Sequence, residues 1–350
     1  MKKSLPILLI VALFLIASCG KEWLSNTGPS TVSLNVSTLA GSGLPGNSNG
    51  AGTNASFYEP TGLAVDTGGN VYVADYRNSL IRKITPGGIV TTFAGGVKPG
   101  NGNGNGVYAS FNQPTGIAID AAGNIYVADS NNNLIREIDP SGNVTTLAGS
   151  GSAGMVNGMG TGASFSNPEG VAVDAAGNVY VADYGNNMIR KISAGGVVTT
   201  LAGQTSAGNA NGRADTVATF NQPTGLAVDA AGNVYVADFG NNLIRLITPA
   251  GIVSTFAGSG TSGSANGTGM AASFNGPTGI ATDAAGNVYV ADYGNNILRL
   301  ITPAGAVTSL GVSSSPANPI FNKPYGVAID KKGNLYVANY GNSTVVKVSK

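Results

Sequence analysis

The sequence contains no histidine and only one cysteine among its 350 residues. Histidine is the commonest general acid–base and the commonest zinc ligand, so its absence excludes the usual Ser-His-Asp, Cys-His and zinc centres. A lone cysteine, Cys19, excludes a disulfide within the chain. Charged residues make up 10% and the net charge is +1, which excludes the basic surface typical of nucleic-acid binding. We therefore expect no catalytic centre, no metal or other cofactor, and no nucleic-acid partner.

Glycine, by contrast, is abundant, with 53 residues, and 42% of the chain is hydrophobic. The glycines do not form a Gly-X-Y triplet, so the chain is not collagen-like. The hydrophobic content is also too high for a disordered chain. The composition is typical of a fold with many tight turns.

The N-terminus predicts export. Two lysines precede an apolar run, residues 5–17, that is too short to span a bilayer. The following Ile-Ala-Ser-Cys-Gly at 16–20 resembles the lipobox of bacterial lipoproteins, which implies a signal peptide over 1–18 and lipidation of Cys19. We expect a flexible tether over 19–31 and a protein held outside the cytoplasm, at the outer membrane or cell surface, by lipid alone. The alternative is an ordinary secretory signal with a free cysteine.

Six copies of one phrase divide residues 32–350 into six units. Val-Tyr-Val-Ala-Asp or a close variant ends at Asp75, Asp129, Asp183, Asp238, Asp292 and Asn339, at spacings of 54, 54, 55, 54 and 47. Each unit contains short runs of β-branched and aromatic residues between turn signals, which predicts four strands, a to d. Strands a and b lack apolar–polar alternation, so both of their faces should be buried, as in blades stacked around an axis.

The two ends of the chain predict how the ring closes. The sixth unit stops after its strand c at residues 344–349, while residues 36–41 match the strand d at 90–95. We therefore predict an all-β, six-bladed β-propeller of four antiparallel strands per blade, in which an N-terminal strand completes the last blade and removes an unpaired edge.

The repeat reads Pro-x-Gly-(Ile/Val)-Ala-(Val/Ile)-Asp-x-x-Gly-Asn-x-Tyr-Val-Ala-Asp. This pattern is similar to that of the NHL repeat family, and the resemblance covers nearly all of the chain after residue 35. It implies a six-bladed propeller, but it implies little about function, because propellers carry many unrelated activities.

Antiparallel blades place the a–b and c–d turns on one face and the b–c turns and d–a connections on the other. Five d–a connections are about 20 residues long, which predicts that the second face binds the ligand. Each connection ends in a phenylalanine three residues before a proline, and we expect these phenylalanines to be buried: Phe57, Phe111, Phe165, Phe220, Phe274 and Phe321.

Two rings of residues on that face are candidates for ligand contact. Aromatic residues follow strand b in five units: Tyr76, Tyr184, Phe239, Tyr293 and Tyr340. They could stack on sugar rings or anchor a protein partner, or they could wedge between blades. The axial mouth, between Pro and Gly at the start of strand a, comprises Thr61, Thr115, Glu169, Thr224, Thr278 and Tyr325. Glu169 and Tyr325 depart from the threonine rule, either as ligand contacts or by neutral drift.

Acidic residues form two further sets. One ring ends strand a on the opposite face: Asp66, Asp120, Asp174, Asp229, Asp283 and Asp330. It could be a cation mouth, or each carboxylate could accept N–H groups of its own turn. The other set places an arginine seven residues after each aspartate of the repeated phrase, which predicts structural ion pairs: Asp75–Arg82, Asp129–Arg136, Asp183–Arg190, Asp238–Arg245 and Asp292–Arg299. The sixth unit has Asn339 and Val346 instead.

These patterns favour a non-catalytic recognition module, expected to be a monomer, that binds an envelope protein, peptide or glycan. One alternative is a cation-dependent hydrolase of the lactonase type, for which Glu169 and Glu59 are the candidate acids. A second alternative is a scaffold that only spaces other components of the envelope.

Overall fold

The computed structural model describes residues 34–96, 98–310 and 320–349. These residues form six antiparallel sheets around one axis, so the predicted six-bladed propeller is confirmed. The predicted signal peptide, Cys19 and the tether lie outside the described residues. No helix in the described ranges has the length and apolar character that crossing a membrane would require.

The first half of the chain supplies the N-terminal strand and three blades. The N-terminal strand is β1 (Asn35–Ala40). Blade 1 comprises β2 (Gly50–Ala51), β3 (Pro60–Val65), β4 (Val71–Asp75), β5 (Leu80–Ile84) and β6 (Ile89–Ala94). Blade 2 comprises β7 (Gly104–Asn105), β8 (Pro114–Ile119), β9 (Ile125–Asp129), β10 (Leu134–Ile138) and β11 (Asn143–Ala148). Blade 3 comprises β12 (Gly158–Met159), β13 (Pro168–Val173), β14 (Val179–Asp183), β15 (Met188–Ile192) and β16 (Val197–Gly203).

The second half supplies the other three blades. Blade 4 comprises β17 (Gly212–Arg213), β18 (Pro223–Val228), β19 (Val234–Asp238), β20 (Leu243–Ile247) and β21 (Ile252–Ala257). Blade 5 comprises β22 (Gly267–Thr268), β23 (Pro277–Thr282), β24 (Val288–Asp292), β25 (Ile297–Ile301) and β26 (Ala306–Leu310). Blade 6 comprises β27 (Pro324–Ile329), β28 (Leu335–Asn339) and β29 (Thr344–Ser349).

One-turn 3-10 helices connect strands at two places in the blades. Those between strands b and c are Tyr76–Asn78, Ser130–Asn132, Tyr184–Asn186, Phe239–Asn241, Tyr293–Asn295 and Tyr340–Asn342. Those that follow an edge strand are Gly52–Asn54, Gly106–Tyr108, Gly160–Gly162 and Gly269–Ala271.

The ring closes as the ends of the sequence predict. Strand β1 pairs antiparallel with β29, with Asn35 opposite Ser349, and so completes blade 6 from the other end of the chain. The same closure joins blades 6 and 1 through a buried cluster that includes Leu63, Val73 and Tyr336. Similar clusters join each blade to the next, which buries both faces of strands a and b as their lack of alternation predicts.

The a–b hairpins explain the ring of carboxylates on the opposite face. In blade 2, Asp120 Oδ1 accepts the backbone N–H groups of Ala122 and Asn124, and Oδ2 accepts the side-chain amide of Asn124 and the hydroxyl of Tyr126. Gly123 supplies the positive φ, 90°, that this turn requires. The same bonds recur at the other five aspartates. Each carboxylate of this ring therefore accepts hydrogen bonds from its own turn, as the second interpretation expects.

The d–a connections differ from the expectation. The connections that precede blades 1 to 5 each add a two-residue fifth strand to the outer edge of the blade they enter, as where Gly104 pairs with Val144. Gly106, the residue after this edge strand, donates its N–H to the carbonyl oxygen of Gly142 in the c–d turn. The sequence analysis places these connections on the b–c face, but their middle portions cover the exposed edge of the outer strand.

The five Asp–Arg pairs of the seven-residue spacing are present in blades 1 to 5. Each arginine lies 2.7–2.9 Å from its aspartate, and both side chains are fully buried. In blade 3 the Arg190 guanidinium also donates to the carbonyl of Ser164 and the side chain of Asn157, and it stacks 5.3 Å over Phe165. The Asp–Arg–Phe cluster therefore fastens the long connection to its own blade. All six phenylalanines are buried, as expected. Five of them stack on an arginine, and Phe321 packs in an apolar cluster with Val346.

Candidate functional site: the axial cavity

The two rings predicted on the b–c face meet in one cavity of about 240 Å³ on the propeller axis. We call it the axial cavity. Every member of the aromatic ring and of the axial mouth lines it, together with Asn167: Thr61, Tyr76, Thr115, Asn167, Glu169, Tyr184, Thr224, Phe239, Thr278, Tyr293, Tyr325 and Tyr340. All six blades contribute, so the cavity exists only in the closed ring.

The aromatic side chains occupy the first position of the b–c 3-10 turns. Each turn ends in a residue with left-handed backbone conformation, such as Asn187 at φ 56°. This sharp reversal holds Tyr184 and its equivalents at the end of strand b, where they remain partly exposed. They are lining residues of an open cavity rather than wedges buried between blades. In blade 2 the smaller Ser130 is buried and bonds to the hydroxyl of Thr115 at 2.5 Å.

Tight packing between the innermost strands forms the base of the cavity. A Cβ atom built on Gly225 would overlap the carbonyl oxygen of Thr278 in the next blade. The hydroxyl of Thr224 donates to the carbonyl of Pro277, also in the next blade, at 3.2 Å. The equivalent threonines make the same contact around the ring, so the Pro-Thr-Gly motif joins neighbouring blades.

Glu169 and Tyr325, which replace the threonine of this motif, contact each other across the axis. They belong to blades 3 and 6, which are opposite one another in the ring, and the Tyr325 hydroxyl donates to Glu169 Oε2 at 2.9 Å. Burial raises the pKa of Glu169 to about 7, although the bond from Tyr325 lowers it. Burial and the Glu169 carboxylate together raise the pKa of Tyr325 well above its usual range.

Tyr325 also organises the aromatic wall. Its ring lies 6.0 Å from that of Tyr340 in a stacked arrangement and 6.1 Å from that of Tyr293 in an edge-on arrangement. Tyr293 and Tyr340 meet edge-on at 6.1 Å. Such ring pairs are each worth roughly 0.5–1.5 kcal/mol beyond area burial. One side of the cavity is therefore a preorganised aromatic surface.

A third ring at the cavity rim was missed by the sequence analysis, except for Glu59. The residue before each repeat proline has a left-handed backbone: Glu59, Gln113, Asn167, Gln222, Gly276 and Lys323, at φ 49–58°. Strained polar residues of this kind are typical of functional rims. Glu59 accepts bonds from Tyr340 at 2.7 Å and Arg77 at 2.6 Å, and Gln113 accepts one from Tyr76 at 3.1 Å. The glycine at position 276 was the one sequence signal for this conformation.

No group of three or more cysteine, aspartate or glutamate side chains lies in a metal-binding arrangement within residues 34–96, 98–310 and 320–349. Among the described residues that line the axial cavity, Glu169 is the only acidic one.

The model of the NHL repeat matches six segments: residues 57–84, 111–138, 165–192, 220–245, 274–298 and 321–348. Each begins at the buried phenylalanine and ends in strand c. The chain thus contains six NHL repeats, one in each blade, as the resemblance implies.

Among curated proteins, the chain is similar to Protein SUPPRESSOR OF QUENCHING 1, chloroplastic, of Arabidopsis thaliana. The two are 34% identical over 166 residues, and the aligned segment covers 44% of this chain and 16% of that protein. The chain is also 35% identical over 168 residues to NHL repeat-containing protein 2 of Bos taurus. The aligned segment covers 43% of this chain and 23% of that protein. The chain therefore spans less than a quarter of the length of these relatives.

Among solved structures, the chain superposes on an auxiliary nutrient binding protein from Bacteroides thetaiotaomicron with a TM-score of 0.66 and 15% identity, covering 90% of this chain and 76% of that one. A gluconolactonase from Xanthomonas campestris matches with a TM-score of 0.62 and 12% identity, covering 90% and 89%. At these identities the likeness concerns the fold alone.

Proposed function

We propose that this protein is a non-catalytic binding module whose ligand site is the axial cavity. The observation that carries the proposal is the convergence of both predicted rings, contributed by all six blades, on a single cavity. Concave sites lined mainly by aromatic side chains with a few placed polar groups are the usual form of a small-ligand site.

Two features support binding over a purely spacing role. The aromatic side chains remain partly exposed in the cavity instead of packing between blades. The residues that break the threonine rule, Glu169 and Tyr325, contact each other at the centre of the cavity. The structural neighbour described as an auxiliary nutrient binding protein agrees with such a role for a propeller of this architecture.

We further propose that the module works outside the cytoplasm, anchored through a lipidated Cys19, and that its ligand belongs to an envelope protein, peptide or glycan. The support is the lipobox-like sequence at residues 16–20. In this arrangement the lipid anchor is the sole contact with the membrane, and a single copy of the chain suffices to form the cavity.

Hydrolase activity of the lactonase type is the second candidate, because a gluconolactonase shares the fold and burial raises the pKa of Glu169 into the range of a general acid or base. A cation-dependent hydrolase needs several oxygen ligands around its metal. Glu169 is the single acidic side chain among the described residues that line the axial cavity, which favours binding without catalysis.

The test is a screen of glycans and envelope extracts with the purified protein and with a Tyr184→Ala/Tyr293→Ala variant. We expect the variant to lose ligand retention at least tenfold, since aromatic anchors dominate such sites. A matched control, Tyr58→Ala/Tyr108→Ala, removes two tyrosines that are exposed outside the cavity and should retain binding. Equal retention by all three proteins would overturn the assignment of the cavity as the ligand site.

A further inference from the structure

The wall of the axial cavity is unusually rich in aromatic rings for its size. Six of its twelve lining residues are aromatic: Tyr76, Tyr184, Phe239, Tyr293, Tyr325 and Tyr340. The face of each ring carries negative electrostatic potential, which attracts a cation. A surround of several such rings is the arrangement with which proteins recognise alkylated ammonium groups.

Two of these rings already hold cations of the protein at the rim. The Arg77 guanidinium carbon lies 5.3 Å from the centre of the Tyr76 ring, and Lys323 Nζ lies 5.9 Å from the centre of the Tyr293 ring. Glu59 neutralises Arg77 through an ion pair at 2.6 Å. Two rings of this wall therefore already contact cations of the protein, and Lys323 marks the place where a ligand cation would compete.

The charge inside the cavity has one sign. Glu169 is the only lining residue with an acidic side chain, and no lysine or arginine is among the described residues that line the cavity. An anionic ligand would lose its hydration without gaining a counter-charge, which is costly. A cationic ligand would gain the Glu169 carboxylate.

The hydroxyl groups of the wall are largely engaged, which disfavours a neutral sugar. Thr61, Thr224 and Thr278 donate to carbonyl groups of the next blade. Tyr325 donates to Glu169, and Tyr340 donates to Glu59. A sugar needs many donors and acceptors to replace its bonds to water, whereas an alkylated ammonium ion needs almost none.

The volume sets an upper limit on the ligand. At about 240 Å³ the cavity is smaller than the ~300–1,000 Å³ typical of sites for drug-sized molecules. It is of a size for a compact head group or for one side chain of a larger partner.

We propose that the axial cavity recognises an organic ammonium cation, held by the aromatic wall and paired with the Glu169 carboxylate. This inference rests on the binding function proposed above and specifies the chemistry of its ligand. Lys323 acts against the ligand, because its ammonium group occupies the Tyr293 ring at the entrance.

Proton release should accompany binding. Burial raises the pKa of Glu169 to about 7, so part of the population is protonated at neutral pH, and a bound cation would favour the ionised form. The titratable groups that face Glu169 are Tyr325, Tyr76 and Tyr184, all of which stay neutral in this range. Affinity should therefore fall as pH drops below about 7, by up to roughly tenfold per pH unit.

The experiment is titration calorimetry of the purified protein with choline and with its uncharged isostere, in which carbon replaces the ammonium nitrogen. We expect choline to bind at least about tenfold more tightly than the isostere. Glu169→Gln should weaken choline binding about tenfold or more, while Lys323→Gln should strengthen it. The control Glu137→Gln makes the same charge change on strand c of blade 2 and should change nothing.

Ring chemistry gives a second readout that does not alter Glu169. Tyr184→Phe keeps the aromatic face and should weaken choline binding much less than Tyr184→Leu, which removes that face and should weaken it several-fold. Equal binding of choline and its isostere, or the same affinity in Glu169→Gln as in the parent protein, would overturn the cation assignment. If glycans or anions bind instead and the Tyr184→Ala/Tyr293→Ala variant loses them, the cation class is wrong and the binding function stands. If no ligand depends on these tyrosines, both proposals fail.

Discussion

Two regions of this propeller are built from the same repeats and differ in how strictly the repeat is kept. The Asp–Arg–Phe clusters under the d–a connections are nearly identical in blades 1 to 5, with ion pairs of 2.7–2.9 Å and guanidinium–phenyl distances of 5.0–5.4 Å. The axial cavity breaks its own rule at Glu169 and Tyr325. The residues that recur from blade to blade thus have structural roles. The residues that differ from the repeat lie in a site that occurs once in the ring.

The physical reason lies in burial. A fully buried aspartate without its arginine would be an uncompensated charge, so the two residues can only be present together or absent together. Blade 6 illustrates the second possibility, since Asn339 and Val346 replace both members of the pair. At the axis, replacing one of the threonines that face the cavity removes only one hydrogen bond between blades.

The largest expected effect comes from breaking one cluster. Arg190→Val should lower the free energy of unfolding by about 3–5 kcal/mol, because it leaves the Asp183 carboxylate buried without its cation. The double variant Asp183→Asn/Arg190→Val reproduces the uncharged pair of blade 6 and should recover part of this loss. Urea unfolding of the three proteins measures the difference, and a double variant no more stable than Arg190→Val would contradict this account of blade 6.

A smaller effect should follow from disturbing the base of the cavity. Gly225→Ala places a methyl group against the carbonyl of Thr278 and should cost roughly 1–3 kcal/mol through forced separation of blades 4 and 5. Gly162→Ala is the matched control, because a Cβ atom there meets nothing within 4 Å and the backbone is not left-handed. Thermal unfolding should separate the two variants. An equal unfolding temperature for both variants would show that the innermost strands can accommodate the methyl group, and would contradict this prediction.

The smallest effect concerns Glu169 and depends on pH. The pKa of this side chain is raised in the folded protein to about 7, above its ordinary value of about 4.3, so its contribution to stability is fully present below pH 4 and is lost as pH rises through 7. Glu169→Gln should therefore be as stable as the parent protein near pH 4 and more stable near pH 8, with the difference appearing as pH rises through 7. Denaturant midpoints at the two pH values measure this, and a constant difference between the proteins would refute the raised pKa.

The repeat phrase, the closing strand and the membership of both rings could be predicted from the sequence, because each depends on local spacing that recurs six times. The seven-residue interval from Asp to Arg also places the two side chains on adjacent strands across one hairpin, where they meet. The edge strands could not be predicted, since two residues such as Gly104 and Asn105 carry no strand pattern of their own. Their pairing depends on where the connection crosses the next blade.

The sequence by itself therefore determined the number of blades, their strands and which positions lie near the axis, because turn chemistry and β-propensity act over a few residues. Only the tertiary structure decided that Glu169 and Tyr325, 156 positions apart, lie within hydrogen-bonding distance, and that the aromatic residues of five blades surround one cavity. Closure of the ring brings opposite blades together at the axis, and no local interaction encodes that distance.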